Sequence, residues 1–349
     1  MNKEIQIDNR IISEESPVYV IAEMSANHLM DFARAKEIIY RLKGSGVDAV
    51  KLQTYTADTI TIDCDRPEFQ IRGGLWDGET LYSLYQKAYT PWEWQEDLVK
   101  YANELGMSCF SSPFDLTAVD FMEEIGMPAY KVASYEINDI SMIRKIAKKG
   151  KPIIISTGTA YLEDIERALR VCKEEGNEQV VLLKCTSAYP CPYEDMNLRA
   201  IPLMQQTFDC LVGLSDHSLG SEVALGAVAL GAKVVEKHVT IKRSDGGPDA
   251  AFSMEIEEFT EMVQQIRNLE KALGKATFKL TEKQEAARAG TRSLYVVRDI
   301  EKGEKFTSEN VRSIRPGKGL HTMYYNDILG KVASKELKKG TPLSWNMVE

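Results

Sequence analysis

Eight short apolar runs, each feeding an amphipathic stretch of helical periodicity, constrain this chain more than any other feature. The runs are Val18–Ala22, Ala49–Leu52, Met107–Phe110, Ala129–Val132, Pro152–Ile155, Val180–Leu183, Leu211–Leu214 and Val234–Val235. Runs that are apolar almost throughout read as parallel strands buried on both faces. Helical spacing follows at stretches such as Ala33–Leu42, Trp92–Leu105, Leu162–Cys172 and Glu222–Leu230. Strand and helix repeated eight times predict a (β/α)8 barrel, with a doubly wound open sheet as the alternative. A weak internal repeat points the same way. Gly46 precedes Lys51, Gly126 precedes Lys131 and Gly231 precedes Glu236, each by five positions. A glycine closes a helix, a strand begins, and a charge arrives near the strand's C-terminal end.

The last two strands carry the sharpest local signal. One ends Gly213-Leu214-Ser215-Asp216-His217 and the other Val234-Val235-Glu236-Lys237-His238, joined by an Ala/Leu/Gly-rich helix. A right-handed βαβ crossover puts both ends at one edge of the sheet. Side chains alternate along a strand, so Ser215 shares a face with His217, and Glu236 with His238. Two imidazoles side by side suit a divalent metal, whereas a single strand-end histidine is usually structural. The other strand ends add Glu23, Lys51, Gln53, Ser111, Ser112, Lys131, Ser134, Glu136, Ser156, Thr157, Lys184, Ser187 and Tyr189. Lysines with small hydroxyl donors suit a phosphate and a carboxylate on one small ligand. The plain alternative makes Lys51 and Lys131 structural ion-pair residues. No P-loop and no G-x-G-x-x-G follows a first strand, which excludes the common nucleotide fingerprints.

Other residues divide between chemistry and packing. Trp76, Trp92 and Trp94 with Tyr82, Tyr85 and Tyr89 would line a sugar pocket or, more commonly at such spacing, fill core. His28 is either a third metal ligand or a hydrogen-bonded loop residue. His321 has no obvious partner. Cys185 reads as packing, since no histidine is expected to activate it. A barrel of 349 residues leaves room for an appendage. The pattern stops after a helix at Glu257–Leu273. Residues 276–289 read as a polar linker between a domain at 1–275 and a small β-rich module at 290–349. The net charge of −9, without a basic block, argues against nucleic acid or an anionic membrane as partner. The charged N-terminus lacks a signal-peptide pattern, no apolar run is long enough to span a bilayer, and six cysteines contain no C-x-x-C pair. A reducing cytoplasm is the expected location.

Taken together, the motifs resemble the sialic acid synthases. Those that carry the resemblance are Ile21-Ala22-Glu23-Met24-Ser25-Ala26-Asn27-His28, Lys51-Leu52-Gln53-Thr54, Ser112-Pro113-Phe114, Lys131-Val132-Ala133-Ser134, Ser156-Thr157-Gly158, Gly213–His217 and Glu236-Lys237-His238. From about Thr291 the chain is similar to the antifreeze-like (SAF) domain these enzymes append. Within the family, Gly73-Gly74-Leu75-Trp76, Leu81-Tyr82-Ser83-Leu84-Tyr85 and Thr90-Pro91-Trp92-Glu93-Trp94 resemble the pseudaminic acid branch. Ser187 departs from the pattern, standing where an asparagine is frequent before the sixth-strand tyrosine. The resemblance implies condensation of phosphoenolpyruvate with the open-chain form of an acetamido sugar. For this branch the sugar is 2,4-diacetamido-2,4,6-trideoxy-β-L-altropyranose. It further implies His217 and His238 as ligands of Mn2+ or Mg2+, and Lys51, Ser112, Lys131, Ser134, Ser156 and Ser215 around phosphoenolpyruvate, with Gln53 nearby. Glu23, Glu136, Tyr189 and Asp249 would meet sugar or water, and Arg315 would reach in from the SAF module of a domain-swapped dimer. N-acetylneuraminic and legionaminic acid synthesis are the near alternatives. A Schiff-base aldolase using Lys131 or Lys184, and a non-catalytic carbohydrate- or ice-binding scaffold, are the distant ones.

Overall fold

The computed structural model describes Met1–Glu349, which divide into two compact units, Met1–Gly274 and Lys275–Glu349. In the first, a hairpin of β1 (Glu4–Ile7) and β2 (Arg10–Ser13) precedes eight parallel strands. These are β3 (Tyr19–Glu23), β4 (Ala49–Thr54), β5 (Ser108–Pro113), β6 (Tyr130–Val132), β7 (Ile153–Ser156), β8 (Val180–Cys185), β9 (Leu211–Asp216) and β10 (Val234–Thr240). Each pairs with the next, and β10 pairs with both β9 and β3. That double pairing closes the barrel and excludes the open sheet. A two-residue strand, β11 (Met254–Glu255), extends the far end of β10. No helix is long and apolar enough to cross a membrane.

The elements follow from local chemistry. Asp31, Asp115 and Asp139 cap their helices by accepting from backbone N–H groups of the first turn, which supplies partners for otherwise orphaned donors. Helices Phe32–Leu42, Trp92–Glu104, Leu162–Glu174 and Glu222–Ala229 lie where the apolar spacing put them. Gly213 is the residue the barrel cannot replace. A Cβ there would stand 2.4 Å from the Val234 carbonyl oxygen and 2.7 Å from a Leu183 methyl. Its absence lets β9 approach β10 closely enough to pair.

The N-terminal hairpin was not expected from the sequence. Ile5, Ile7 and Ile12 join the main core, and Asp8 turns the chain in a left-handed conformation. Asp8 accepts from Ser108 at the start of β5, Arg10 pairs with Asp48 ahead of β4, and Lys3 pairs with Asp209 ahead of β9. The hairpin therefore lies across the N-terminal ends of the strands.

In the second unit, β12 (Ser293–Val296) and β13 (Val311–Ile314) are antiparallel, and isolated bridges complete a small core around Val296, Phe306, Ile328 and Leu337. The segment expected to be a plain linker is partly helical at Glu282–Ala287. Thr281 and Gln284 form a reciprocal capping box there, which offsets the lack of apolar residues.

Between β9 and β10, Asp216 and Lys237 point away from the barrel axis and pair at 2.7 Å, both essentially inaccessible to solvent. Lys237 also donates to the Ser218 carbonyl at 2.6 Å. Removing one member leaves a bare charge in the wall. Asp216→Ala is expected to lower unfolding free energy by about 3–5 kcal/mol, and the double change Asp216→Leu with Lys237→Met by much less. Urea titrations of the three proteins check this.

Candidate active site

The C-terminal ends of the strands converge on one buried polar cluster, and strand register explains its pairings. Glu23 and Lys51 are direct partners across β3 and β4, as are Glu236 and Ser215 across β10 and β9. The Lys51 ammonium is accordingly ion-paired with Glu23 and lies 2.9 Å from Glu236. Ser215 donates to the same Glu236 oxygen at 3.1 Å, and the Lys131 ammonium stands 3.8 Å away. All five side chains are buried. Burial pushes the Glu236 carboxyl up, but the Lys131 and Lys51 ammoniums outweigh it and hold it down to about 2. Burial lowers Lys51 to about 8 despite Glu236 beside it. Both lysines are thus held in ion pairs, Lys51 with two carboxylates and Lys131 with Glu236 at the longer distance. Two ammoniums and two carboxylates balance one another in a volume closed to water.

Beside this quartet lies a niche of hydroxyls. Gly158 has no side chain where Ser187 Oγ, Ser134 Oγ and Cys185 Sγ would stand 2.4, 2.8 and 3.0 Å from a Cβ. Its own N–H donates to Ser134 Oγ at 3.1 Å. The hydroxyls of Ser112, Ser156 and Ser187 are buried without a hydrogen-bond partner, as is one oxygen each of Glu23, Glu136 and Glu236. Several orphaned donors around one point are costly unless a ligand satisfies them. Burial pushes the Glu136 carboxyl up to about 7, against the weaker pull of Lys131.

The histidine pair forms the outer wall. His217 and His238 follow the register pair Asp216 and Lys237, and their rings lie 5.4 Å apart. His217 Nδ1 lies 3.1 Å from the Thr186 carbonyl, a group that only accepts, so Nδ1 carries a proton. Burial lowers this imidazole's pKa, but Cys185 and the Thr186 carbonyl more than offset that and raise it. Burial and the neighbouring His217 ring hold His238 well below the usual histidine range, and its Nδ1 is unpartnered. Tyr189 packs on His217 at 4.4 Å, and Phe252 on His238 at 5.0 Å. Asp249 accepts from Ser25 Oγ and the Ala26 N–H, bringing a half-buried carboxylate to the same wall.

One expectation is corrected and two open alternatives are decided by contacts. Cys185 does have a histidine neighbour, with Sγ 3.9 Å from His217 Nδ1. Burial alone would raise this thiol, but His217 more than offsets it and brings it to about 7. The residues stand at the ends of neighbouring strands, β8 and β9, and lie 32 positions apart in sequence, which hid the contact. His28 takes the hydrogen-bonded alternative: its Nδ1 accepts from the Met30 N–H, and its ring lies edge-on to Trp94. The aromatic set divides. Trp92 stacks on Phe121 and Trp94 packs on Phe32, whereas Trp76 lies against Tyr189 at the mouth. Glu236 is the residue the motif reading undervalued, although its placement two residues before His238 put it on the inward face. Gln53 is half-buried near the quartet, Lys184 turns to the Cys185 carbonyl and Thr186, and Arg315 is exposed within the second unit.

A parallel barrel whose mouth balances buried charges, presents unpaired hydroxyls and pairs two imidazoles defines an enzyme that handles a small anion. The chain belongs to the NeuB family, whose model matches residues 38–278, and the SAF domain model matches residues 291–349. It is 45% identical over 339 residues to the pseudaminic acid synthase of Campylobacter jejuni subsp. jejuni serotype O:2, covering 97% of this chain and 98% of that one. The pseudaminic acid synthase of Helicobacter pylori is 44% identical over 334 residues, covering 95% and 98%. Among solved structures, the spore coat polysaccharide biosynthesis protein SpsE of Bacillus subtilis superposes with a TM-score of 0.68 at 30% identity, covering 99% of both chains.

His28, buried away from the cluster, supplies a pH test. Burial lowers its pKa from 6.5 to about 4, so the unfolded chain binds the extra proton between those values. Stability should rise with pH across that window and level off above it, by at most about 1.4 kcal/mol per unit from this residue. Urea midpoints measured against pH should lose that part of the slope in His28→Gln.

Proposed function

We propose that this chain condenses phosphoenolpyruvate with 2,4-diacetamido-2,4,6-trideoxy-β-L-altropyranose, in its open-chain aldehyde form, to give pseudaminic acid and phosphate. The observation that carries the reading is the division of the mouth. A charge-balanced, hydroxyl-lined niche adjoins a wall of two histidines and aromatic rings, so an anion and an aldehyde sugar can meet. Similarity at 45% identity over nearly the whole chain supports the same substrates.

Lys51 and Lys131 would share the phosphoenolpyruvate charge, with Ser112, Ser134, Ser156, Ser187 and Ser215 supplying directional donors and Gln53 at the edge. C3 of phosphoenolpyruvate attacks the aldehyde carbon. Water adds to the cation developing at C2, and the tetrahedral intermediate loses phosphate by C–O cleavage. Glu23, already against the Lys51 ammonium, is suited to hold or move a proton, and Glu136, near neutrality, to take one from water. Asp249 and Tyr189 would orient the sugar. The histidine pair fits a divalent cation such as Mn2+ or Mg2+. His238 has a free buried nitrogen, and His217 is oriented by its Nδ1 contact with the Thr186 carbonyl. Bound there, the metal would supply Lewis-acid polarisation of the aldehyde oxygen.

We further infer a domain-swapped homodimer in which Arg315 serves the partner's barrel, and a cytoplasmic enzyme, in keeping with six free thiols. Co-expression of Arg315→Ala with His217→Ala should restore one working site in the isolated mixed dimer. Activity no higher than in the single variants would rule out service in trans.

Phosphate release with purified protein and each sugar tests the reaction. The diacetamido altro sugar should exceed N-acetylmannosamine in kcat/KM, because the 4-acetamido partners are left unpaired by the smaller sugar. Equal values would defeat the pseudaminic assignment. His217→Ala or His238→Ala should abolish turnover and metal binding by equilibrium dialysis, while circular dichroism stays unchanged.

A further inference from the structure

We infer that Trp76 is a specificity residue that packs against the C6 methyl of the sugar and selects a 6-deoxy substrate over its 6-hydroxy counterpart. The inference rests on the proposed reaction and adds a reader for one end of its substrate. Trp76 belongs to an excursion between β4 and β5 that is closed on itself. The Ile71 N–H donates to the Glu79 carbonyl at 2.9 Å, the Gly78 N–H donates back to the Ile71 carbonyl, and Gln70 bridges Thr80. Gly73, Gly74 and Gly78 take left-handed conformations that turn the chain within this short span. The indole is then fixed from behind, since its Nε1–H donates to the Pro248 carbonyl at 2.9 Å.

With its one polar atom used, the ring can offer only an apolar surface. It lies 5.9 Å from the ring of Tyr189, which lies 4.4 Å from His217. The three rings form a continuous path from the histidine pair outward. An aldehyde carbon bound at the histidines is C1 of the sugar. The opposite end of an open chain is C6, so the aromatic ring farthest along the path meets that carbon. A methyl group there removes apolar area from water on both sides of the contact. A hydroxymethyl group would be desolvated against indole carbon, which offers it no hydrogen bond.

The test uses the whole protein and two sugars, the 2,4-diacetamido-6-deoxy compound and its synthetic 6-hydroxy analogue, with a 6-deoxy analogue lacking the 4-acetamido group as a third and phosphate release as readout. The wild type should favour the deoxy sugar in kcat/KM by about tenfold or more. Trp76→Ala should bring the two sugars within about threefold, through a raised KM for the deoxy sugar with little change in kcat or in the KM for phosphoenolpyruvate. Trp76→Phe, which keeps an apolar ring, should restore most of the preference and shows that loss in the alanine variant is not misfolding. Retained preference in Trp76→Ala overturns the inference and leaves the reaction standing. Loss of discrimination only against a sugar lacking the 4-acetamido group would place an acetyl methyl at Trp76 and overturn the C6 assignment. A wild type that releases no phosphate with either sugar overturns the parent reaction and the inference with it.

Discussion

Closing eight parallel strands around one axis drives the inward side chain at each strand end into the same small volume. Everything distinctive about this protein follows from how that crowding is resolved. In the middle of the barrel it is resolved by apolar packing and by the missing side chain of Gly213. At the C-terminal end, charges replace hydrocarbon, and each has to be answered by another. Glu23, Lys51, Lys131 and Glu236 form a neutral set, and register places Glu23 and Lys51 directly opposite one another. Such a set stabilises the fold weakly at best, because desolvating four ions costs about what their attraction returns. Its value lies in orientation, for dipoles and charges already in place need no rearrangement when a charged ligand arrives.

The barrel was legible because parallel strands buried on both faces leave long apolar runs, and because glycines recur ahead of strand-end charges. Strand ends were harder. Each of the polar residues Glu23, Ser156 and Asp216 belongs to its strand, although hydrophobicity alone stops short of them. The hairpin at Glu4–Ser13 was missed for a different reason. Its alternation was present in Glu4-Ile5-Gln6-Ile7, with Asp8-Asn9 to turn it, but two four-residue strands carry little signal until a barrel floor exists for them to cover.

The site divides along similar lines. The histidine pair could be derived from alternation and the βαβ rule. The contact between Cys185 and His217 could not, because it depends on which side of the crossover β8 approaches. Glu236 shows the intermediate case, where facing was readable but centrality was not. A residue becomes central only when lysines from two other strands, β4 and β6, are known to reach it. Motif resemblance supplied names for roles, whereas geometry supplied the reason that Gly158 cannot be larger.

The hairpin across the N-terminal ends has a mechanical consequence. Apolar side chains already fill the barrel interior, so the hairpin acts as a strap across its base. Asp8, Arg10 and Lys3 tie it to the chain entering β5, β4 and β9. A pull on the N-terminus is therefore borne at the end of the barrel opposite the polar cluster.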